Sequence, residues 1–265
     1  MSPSAPQRPL AIVTGASSGI GLAYARRLAA EGHDLIAVGR REERLAGLAA
    51  EFPDVRVRPV VADLGTDAGV QAVADLCASE AVHLLVNNAG VSHYMAFTQL
   101  PADKASELLR VKVLAPTLLA RAAAPGMAAR GGGTLVNVAG MLAFGASAPL
   151  GAAPGRAAYV GTLAYLVALT QALHVELAVS GIRVQVLCPG IVATEFHTRQ
   201  GMDLSALPRM SAEDVVTASL RGLALGEVVC APGVEHGELL SNANAMNLSA
   251  FGGQSPTLAS RYHAG

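Results

Sequence analysis

The sequence is poor in charge and in cysteine. Charged residues make up 15% of its 265 residues, and 19 Lys and Arg against 20 Asp and Glu leave a net charge of -1. Such a chain has no basic field to hold nucleic acid or an anionic membrane. The three cysteines (Cys77, Cys188 and Cys230) are odd in number and widely spaced. This excludes a disulfide framework and shows no metal-ligand spacing, so we expect a reducing, cytoplasmic compartment and no bound metal.

Long hydrophobic runs and a secretion signal are also missing. The first ten residues, MSPSAPQRPL, contain no apolar core of signal-peptide length. The most apolar stretch, Ala157 to Leu169, has 13 residues and is too short to cross a bilayer. We therefore expect no membrane segment.

Apolar sequence is abundant, and it comes in short pieces. Hydrophobic residues make up 52% of the chain, which excludes disorder for its bulk and suffices for a sizeable core. Short apolar runs alternate with helical segments and begin near residues 10, 35, 55, 82, 134, 181 and 228. Apolar strands alternating with helices predict one doubly wound α/β domain, with a parallel sheet covered by helices on both faces.

Some segments depart from this alternation. Residues 1–9 are a Ser/Pro-rich leader that we expect to be disordered, and the domain is predicted over residues 10–240. The Gly-, Ala- and Pro-rich segment 140–158 predicts a long loop. Residues 241–265 are polar and rich in small residues, which leaves two alternatives, a loose tail or an arm laid on a neighbouring subunit. A long helix over residues 104–130 is predicted to kink at Pro116.

The turn after the first strand has a phosphate-binding arrangement. The strand is followed by Thr14-Gly15-Ala16-Ser17-Ser18-Gly19-Ile20-Gly21 and then by a helix. Glycines let the backbone approach a pyrophosphate, and a helix N-terminus supplies free N–H donors. We therefore predict a phosphate-bearing ligand here, the alternative being a tight strand-to-helix turn without a ligand.

Four motifs in register resemble those of the short-chain dehydrogenase/reductase family. They are the glycine-rich turn, Asp63-Leu64, Asn87-Asn88-Ala89-Gly90 and Pro189-Gly190-Ile191-Val192-Ala193-Thr194, and the resemblance covers residues 10–200. It implies a Rossmann-like fold, a small-molecule substrate and a bound nicotinamide dinucleotide. The cofactor-binding residues that it implies are Gly15, Ser17, Ser18, Gly19, Ile20, Gly21, Asp63, Leu64, Asn88, Gly90, Pro189, Gly190, Val192 and Thr194.

The end of the second strand indicates which dinucleotide binds. An acidic residue there accepts hydrogen bonds from a ribose diol, whereas a basic one suits a 2′-phosphate. This chain has Gly39-Arg40-Arg41 and no carboxylate before Glu42. Arg40 with Arg41 therefore favours NADP(H) over NAD(H). The alternative is that both arginines only solvate the start of a helix.

The catalytic positions match the family only in part. Family members usually carry Asn, Ser, Tyr and Lys, and the resemblance places the tyrosine at Tyr159. Leu163 stands at the lysine position, Gly140 at the serine position and Lys112 at the asparagine position. A free tyrosine has a pKa near ~10. Without a nearby cation, Tyr159 is therefore a poor base at neutral pH but still a hydrogen-bond donor.

Three residues are candidates to replace the missing groups. In the family fold, the position of Lys112 points toward the missing ammonium, the alternative being a lysine on a solvated helix face. Ser147 lies twelve residues before Tyr159, close to the usual spacing, although counting from the strand selects Gly140 instead. His93 follows the Asn-Asn-Ala-Gly motif and is a candidate acid or base near neutral pH, unless it is only a partly exposed loop residue.

These observations predict an NADP(H)-dependent oxidoreductase that acts on a carbonyl or alcohol, such as a natural-product intermediate, with an atypical active site. Two alternatives stay open: an enzyme on the same scaffold without net redox chemistry (an isomerase, cyclase, dehydratase or lyase), and a non-catalytic binding subunit. The segment from Tyr159 to Ser180 is apolar on nearly every side and must be covered all round. Since the family pairs through this helix, we expect a homodimer or homotetramer.

Overall fold

The computed structural model describes residues 8–149 and 155–263. Its central element is a parallel sheet of seven strands in the order β3-β2-β1-β4-β5-β6-β7, which confirms the predicted Rossmann-like α/β class. The strands are β1 (Leu10–Thr14), β2 (Asp34–Gly39), β3 (Val57–Val61), β4 (Val82–Asn87), β5 (Gly133–Val138), β6 (Ile182–Leu187) and β7 (Val229–Cys230). All seven coincide with predicted apolar runs.

Helices connect these strands and cover both faces of the sheet. Those in the described residues are α1 (Gly19–Ala30), α2 (Glu42–Glu51), α3 (Asp67–Ser79), α4 (Ala102–Leu109), α5 (Ala115–Ala129), α6 (Ala157–Leu177), α7 (Glu195–Thr198), α8 (Ala212–Leu225) and α9 (Glu238–Gly252). Strand β1 shows how the layers form, because successive side chains point to opposite faces. Ala11 and Val13 pack in the core with α1, α2 and α8, whereas Leu10 and Ile12 pack with α3 and α5.

The predicted helix over residues 104–130 is interrupted, but not at Pro116 itself. Between α4 and α5 the chain forms a π-helical turn over Arg110–Leu114. A proline ring clashes with the carbonyl four residues before it and cannot donate a backbone hydrogen bond. For Pro116 that carbonyl belongs to Lys112, so the irregularity falls one turn before the proline. Lys112 consequently lies in the middle of a widened turn.

Helix α6 is longer than its apolar run indicated. With the 3-10 turn that follows it, the helical segment covers 24 residues, Ala157–Ser180, and by length and composition alone it is able to cross a membrane. The expectation that this region is too short was therefore wrong. A core helix of a soluble protein passes the same test, and here Tyr159, Leu163 and Leu166 on α6 are buried in one of the protein's hydrophobic clusters.

The chain divides into two compact units, the first ending at Gly233 and the second beginning at Val234. The second unit contains α9 and a short 3-10 turn, so the segment expected to be a tail or an arm is partly helical. Met246, Leu248 and Phe251 of α9 are exposed. Two predicted segments fall largely or partly outside the described residues: the leader, residues 1–9, and the loop over residues 140–158, of which residues 150–154 are not described.

Candidate active site

A cavity of about 1170 Å³ lies at the carboxyl ends of the strands. It follows β1 and β4, where the strand order reverses direction, the usual ligand site of an open α/β sheet. All of the cofactor-binding residues predicted from the sequence line it except Gly21. The structure therefore brings together motifs that are up to about 180 residues apart in the chain.

The first turn requires glycine at two positions. Gly15 has a φ of 70°, and a Cβ placed there would lie 2.7 Å from Nδ2 of Asn88. A Cβ on Gly21 would lie 2.3 Å from the carbonyl oxygen of Gly15, which no real side chain tolerates. Gly21 thus lets α1 begin directly against the turn, although it does not line the cavity itself.

Hydrogen bonds join this turn to the loop after β4. Thr14 Oγ1 donates to the carbonyl oxygen of Val86 and accepts from the backbone N–H groups of Asn88 and Ala89, both at 3.0 Å. The Asn88 side chain donates back to the Thr14 carbonyl oxygen at 2.9 Å. The Asn-Asn-Ala-Gly motif therefore holds the floor of the cavity in place.

The start of α1 is suited to an anion. Its N-cap residue, Ser18, makes no side-chain capping hydrogen bond, and the first turn contains no acidic residue. The first N–H groups of the helix are thus not capped by a side chain from its own first turn. The Glu195 carboxylate, which is hydrogen-bonded to the Ser18 side chain, is itself paired with Arg41. Together with the close approach that Gly15 and Gly21 permit, these residues fit the pyrophosphate of a dinucleotide.

The two arginines after β2 have different surroundings. Arg41 donates to the Glu195 carboxylate at 2.7 Å and to the backbone and side-chain oxygens of Ser17. Arg40 is about half exposed and lies 3.9 Å from Asp63, a much looser contact. Arg40 is therefore the more available of the two for a ligand phosphate.

Tyr159 lies at the other end of the cavity, in the first turn of α6. It is 8% exposed, and its ring packs against those of Tyr94 and Phe196, with centroids 5.5 and 6.4 Å away. Among the described residues its hydroxyl has no hydrogen-bond partner. Burial, with a smaller contribution from Tyr94, raises the pKa of Tyr159 above that of a free tyrosine.

Leu163 and Gly140, which the resemblance places at the family's lysine and serine positions, also line the cavity. Leu163 is buried, one helical turn after Tyr159. A Cβ on Gly140 would lie 3.5 Å from Cδ1 of Leu163 and 3.6 Å from the Pro189 carbonyl oxygen, which is ordinary contact. Gly140 is extended, with a φ of 168°, so a residue with a Cβ is accommodated here without backbone strain.

Lys112 is not on a solvated helix face. Its side chain is buried, lines the cavity, and donates from Nζ to the Val138 carbonyl oxygen at 2.7 Å. Burial lowers the pKa of the Lys112 ammonium to about 8. The hydrogen bond to Val138, rather than one to the Tyr159 hydroxyl, is the contact that the described part of the chain shows.

The other two catalytic candidates lie away from the cavity. Ser147 is exposed in a turn and is not among the residues that line the cavity. Counting back from Tyr159 selected this surface residue because the length of the intervening loop varies. His93 is half-buried, but its Nε2 lies 2.9 Å from the Glu107 carboxylate and the residue does not line the cavity. Tyr94, the next residue along, faces the cavity instead.

Sequence reasoning missed Phe196 and Arg156, both of which line the cavity near Tyr159. Phe196 follows the last cofactor motif by two residues, and Arg156 precedes Tyr159 by three. Arg156 is the N-cap residue of α6 and is not itself helical, so helical periodicity gave no signal for it.

The short chain dehydrogenase family model matches residues 9–204. The chain belongs to the short-chain dehydrogenase family. A 2-(R)-hydroxypropyl-CoM dehydrogenase from Xanthobacter autotrophicus is 37% identical over 194 residues, 70% of this chain and 75% of that protein. An inactive hydroxysteroid dehydrogenase-like protein 1 from Homo sapiens is 34% identical over 190 residues, 69% of this chain. The chain spans only 56% of the length of that human relative.

A solved structure resembles the whole chain. It is a short-chain dehydrogenase from Sphingobium yanoikuyae in complex with NADPH, 34% identical, with a TM-score of 0.90. The similarity covers 96% of this chain and all of that one. The family model and the structural similarity thus agree on family membership and overall fold.

Proposed function

We propose that this protein is an NADP(H)-dependent oxidoreductase that reduces the carbonyl group of a small-molecule substrate at an atypical active site. One observation carries this proposal. The Tyr159 hydroxyl, which has no described partner, lies in the same cavity as the glycine-rich turn that fits a dinucleotide. The nicotinamide, when bound, supplies the hydride, and Tyr159 supplies the proton.

The surroundings of Tyr159 favour reduction over oxidation. Burial among Tyr94, Phe196 and Leu163 raises its pKa, so the phenol stays protonated at neutral pH. A protonated tyrosine donates a hydrogen bond to a carbonyl oxygen and then a proton to the alkoxide, which is a much stronger base than a phenolate. Oxidation of an alcohol needs the ionised tyrosine instead, which this site makes scarce.

Lys112 is a buried cation in the same cavity as Tyr159. An ammonium has three N–H donors, and Val138 accepts one of them. We assign to Lys112 a hydrogen bond to the substrate oxygen, in the place of the serine that Gly140 replaces. Its burial in the same cavity as Tyr159 and Gly140 supports this role.

NADP(H) is the proposed cofactor. Arg40 lines the cavity at the end of β2, and its guanidinium is about half exposed. In residues 8–149 and 155–263, no carboxylate lies closer to it than Asp63 at 3.9 Å. The Sphingobium relative is crystallised with NADPH. A 2′-phosphate placed near Arg40 would form the charge-assisted pair that a ribose hydroxyl does not provide.

Tyr159→Phe tests the proposal. We expect carbonyl reduction, followed as loss of NADPH absorbance at 340 nm, to fall by about 10²-fold or more, the range typical of acid–base assistance. NADPH affinity, measured by fluorescence titration, should stay within a few-fold of the native value. An unchanged rate in this variant would place the proton donor elsewhere.

A binding subunit without catalysis is the second candidate. Leu163 leaves apolar surface where the family has its lysine, Tyr159 has no described hydrogen bond to a cation, and the human relative is named inactive. NADPH binding without turnover of any carbonyl in a broad panel would select this candidate.

We also infer that the protein is a homo-oligomer that pairs through α6. Small side chains of α6 (Ala157, Gly161, Ala168 and Ala172) are exposed and recur at helical spacing, and Val175 and Val179 continue the same exposed strip. An apolar strip of this length on a free surface favours cover by a second copy. Light scattering at micromolar concentration should give a dimer or tetramer, and a monomer would contradict the inference.

A further inference from the structure

The cations that line the cavity differ in what they already bind. Arg41 and Arg199 share the carboxylate of Glu195, at 2.7 and 3.0 Å, and Arg40 lies near Asp63. Lys112 is hydrogen-bonded to a backbone carbonyl. Arg156 is different, because its guanidinium has no hydrogen bond or ion pair with any residue in the described ranges. A half-buried guanidinium with five free N–H donors is suited to an anion.

The backbone at Arg156 is held firmly. A Cβ on Gly155 would lie 2.5 Å from the Met95 carbonyl oxygen and 2.7 Å from Cα of Ala96, so only glycine allows this close contact. On its other side, the Arg156 carbonyl oxygen accepts the first hydrogen bond of α6, from the N–H of Val160 at 2.9 Å. The backbone on both sides of Arg156 is thus in close contact with neighbouring elements.

Arg156 lies close to the reacting end of the cavity. Arg156 is the N-cap residue of α6, three residues before Tyr159, and it lines the cavity from just outside the helix. Its charge also acts on Tyr94, which packs against Tyr159. His197 packs against the ring of Tyr94, and the apolar part of the wall here is formed by Met141, Leu142, Leu163 and Phe196. Lys112 is a second cation at this end, but its ammonium already donates to the Val138 carbonyl oxygen. Arg156 is therefore the cation here that has no partner in the described ranges and is available to an anionic group of the substrate.

We propose that the substrate carries an anionic group (a carboxylate, sulfonate or phosphate ester) that pairs with Arg156, on the same short chain as the carbonyl that faces Tyr159. An oxo acid or an oxo-substituted sulfonate or phosphate, with an apolar remainder, has this chemistry. The inference rests on the proposed reduction, but it concerns binding and is measurable without turnover.

The test compares four probes that share one oxo-substituted chain and differ only in the terminal group. The probes are 3-benzoylpropanoate, its methyl ester, and the sulfonate and phosphate monoester with the same chain. Dissociation constants are measured by calorimetry with the protein saturated with NADP+, and kcat/KM is measured by NADPH loss. The proteins are the native chain, Arg156→Gln, Arg156→Lys and Arg221→Gln, which removes an exposed arginine of α8 as the matched control.

We expect at least one anionic probe to bind more tightly than the ester, by about 10-fold or more. The anionic group of the tightest probe then identifies whether the substrate carries a carboxylate, a sulfonate or a phosphate ester. Arg156→Gln should remove this preference and leave the ester unchanged, Arg156→Lys should keep part of it, and Arg221→Gln should have no effect. The ester also reports whether each variant keeps its cavity.

Two outcomes overturn the inference: equal binding of ester and anions by the native chain, or an equal loss for all four probes in Arg156→Gln, which indicates a structural role. Failure of the proposed function gives a different result. Anions then bind in an Arg156-dependent manner while no probe oxidises NADPH, which supports this inference and contradicts carbonyl reduction.

Discussion

The two ends of the cavity are built in different ways. At the dinucleotide end, the chain's own backbone makes the site: Gly15 and Gly21 allow close approach, and Thr14 and Asn88 hold two loops together through four hydrogen bonds. At the catalytic end, the site consists of separate side chains in a largely apolar wall. The Tyr159 hydroxyl has no hydrogen-bond partner in the part of the chain that the structure describes, and buried Lys112 donates to Val138 at the end of β5. The first end recognises a ligand through shape, whereas the second depends on a few polar atoms.

This difference determines how substitutions act. A change at the dinucleotide end disturbs a packed, hydrogen-bonded turn and affects folding and binding together. A change at the catalytic end alters one polar atom in a spacious cavity and leaves the fold intact. Gly140 illustrates this, because ordinary contact distances would surround a side chain placed there.

Gly21→Ala should have the largest effect on the dinucleotide end. A methyl group 2.3 Å from the Gly15 carbonyl oxygen forces the turn to move, and such overpacking typically costs about 1–3 kcal/mol or more. We expect NADPH affinity to fall by about 10²-fold in a fluorescence titration, with a lower melting temperature. The control is Gly47→Ala in α2, where the new methyl group meets no atom within 4 Å and a better helix former should stabilise slightly. Similar effects of the two variants would contradict the steric account.

Lys112→Met tests the catalytic end through stability. Burial lowers the pKa of Lys112 in the folded protein to about 8 from 10.5. Between these pH values the unfolded chain binds one more proton than the folded chain, so the free energy of unfolding rises with pH across that window. At about 1.4 kcal/mol per pH unit, the native chain should gain about 3 kcal/mol relative to Lys112→Met between pH 8 and 10.5. Urea denaturation at several pH values measures this gain.

The exposed Lys104 provides the control for this experiment. Its side chain is 45% exposed, and Lys104→Met should produce no comparable pH-dependent difference from the native chain. Parallel stability curves for the native chain and Lys112→Met would show that Lys112 is solvated in the folded protein, contrary to the account given above.

Arg40→Asp has the smallest predicted effect, because the arginine is half exposed and solvent weakens its contribution. We expect NADPH affinity to fall by about 10-fold and the preference to shift toward NADH, whose ribose diol suits a carboxylate. Arg221→Asp on α8 should change neither affinity. Equal NADPH and NADH affinities in the native protein would refute the phosphate interpretation.

The two ends also differ in how far the sequence predicts them. Gly15, Asn88 and Thr194 belong to contiguous motifs at strand ends, and parallel strands bring their carboxyl ends to one edge, so their convergence follows from the sequence pattern. The orientation of Lys112 does not follow, since it depends on a π-helical turn upstream of Pro116. Likewise, only tertiary structure pairs His93 with Glu107 and so removes it from the cavity.

Transfer of deuterium from NADPH tests the central claim most directly. The protein is incubated with NADPH that carries deuterium at the reactive position of the nicotinamide and with the preferred carbonyl probe, and the product is analysed by mass spectrometry. We predict one deuterium per alcohol formed, an equal loss of absorbance at 340 nm, and loss of both signals in Tyr159→Phe. A product that forms without deuterium and without NADPH consumption would contradict the account and show that this fold performs chemistry other than reduction.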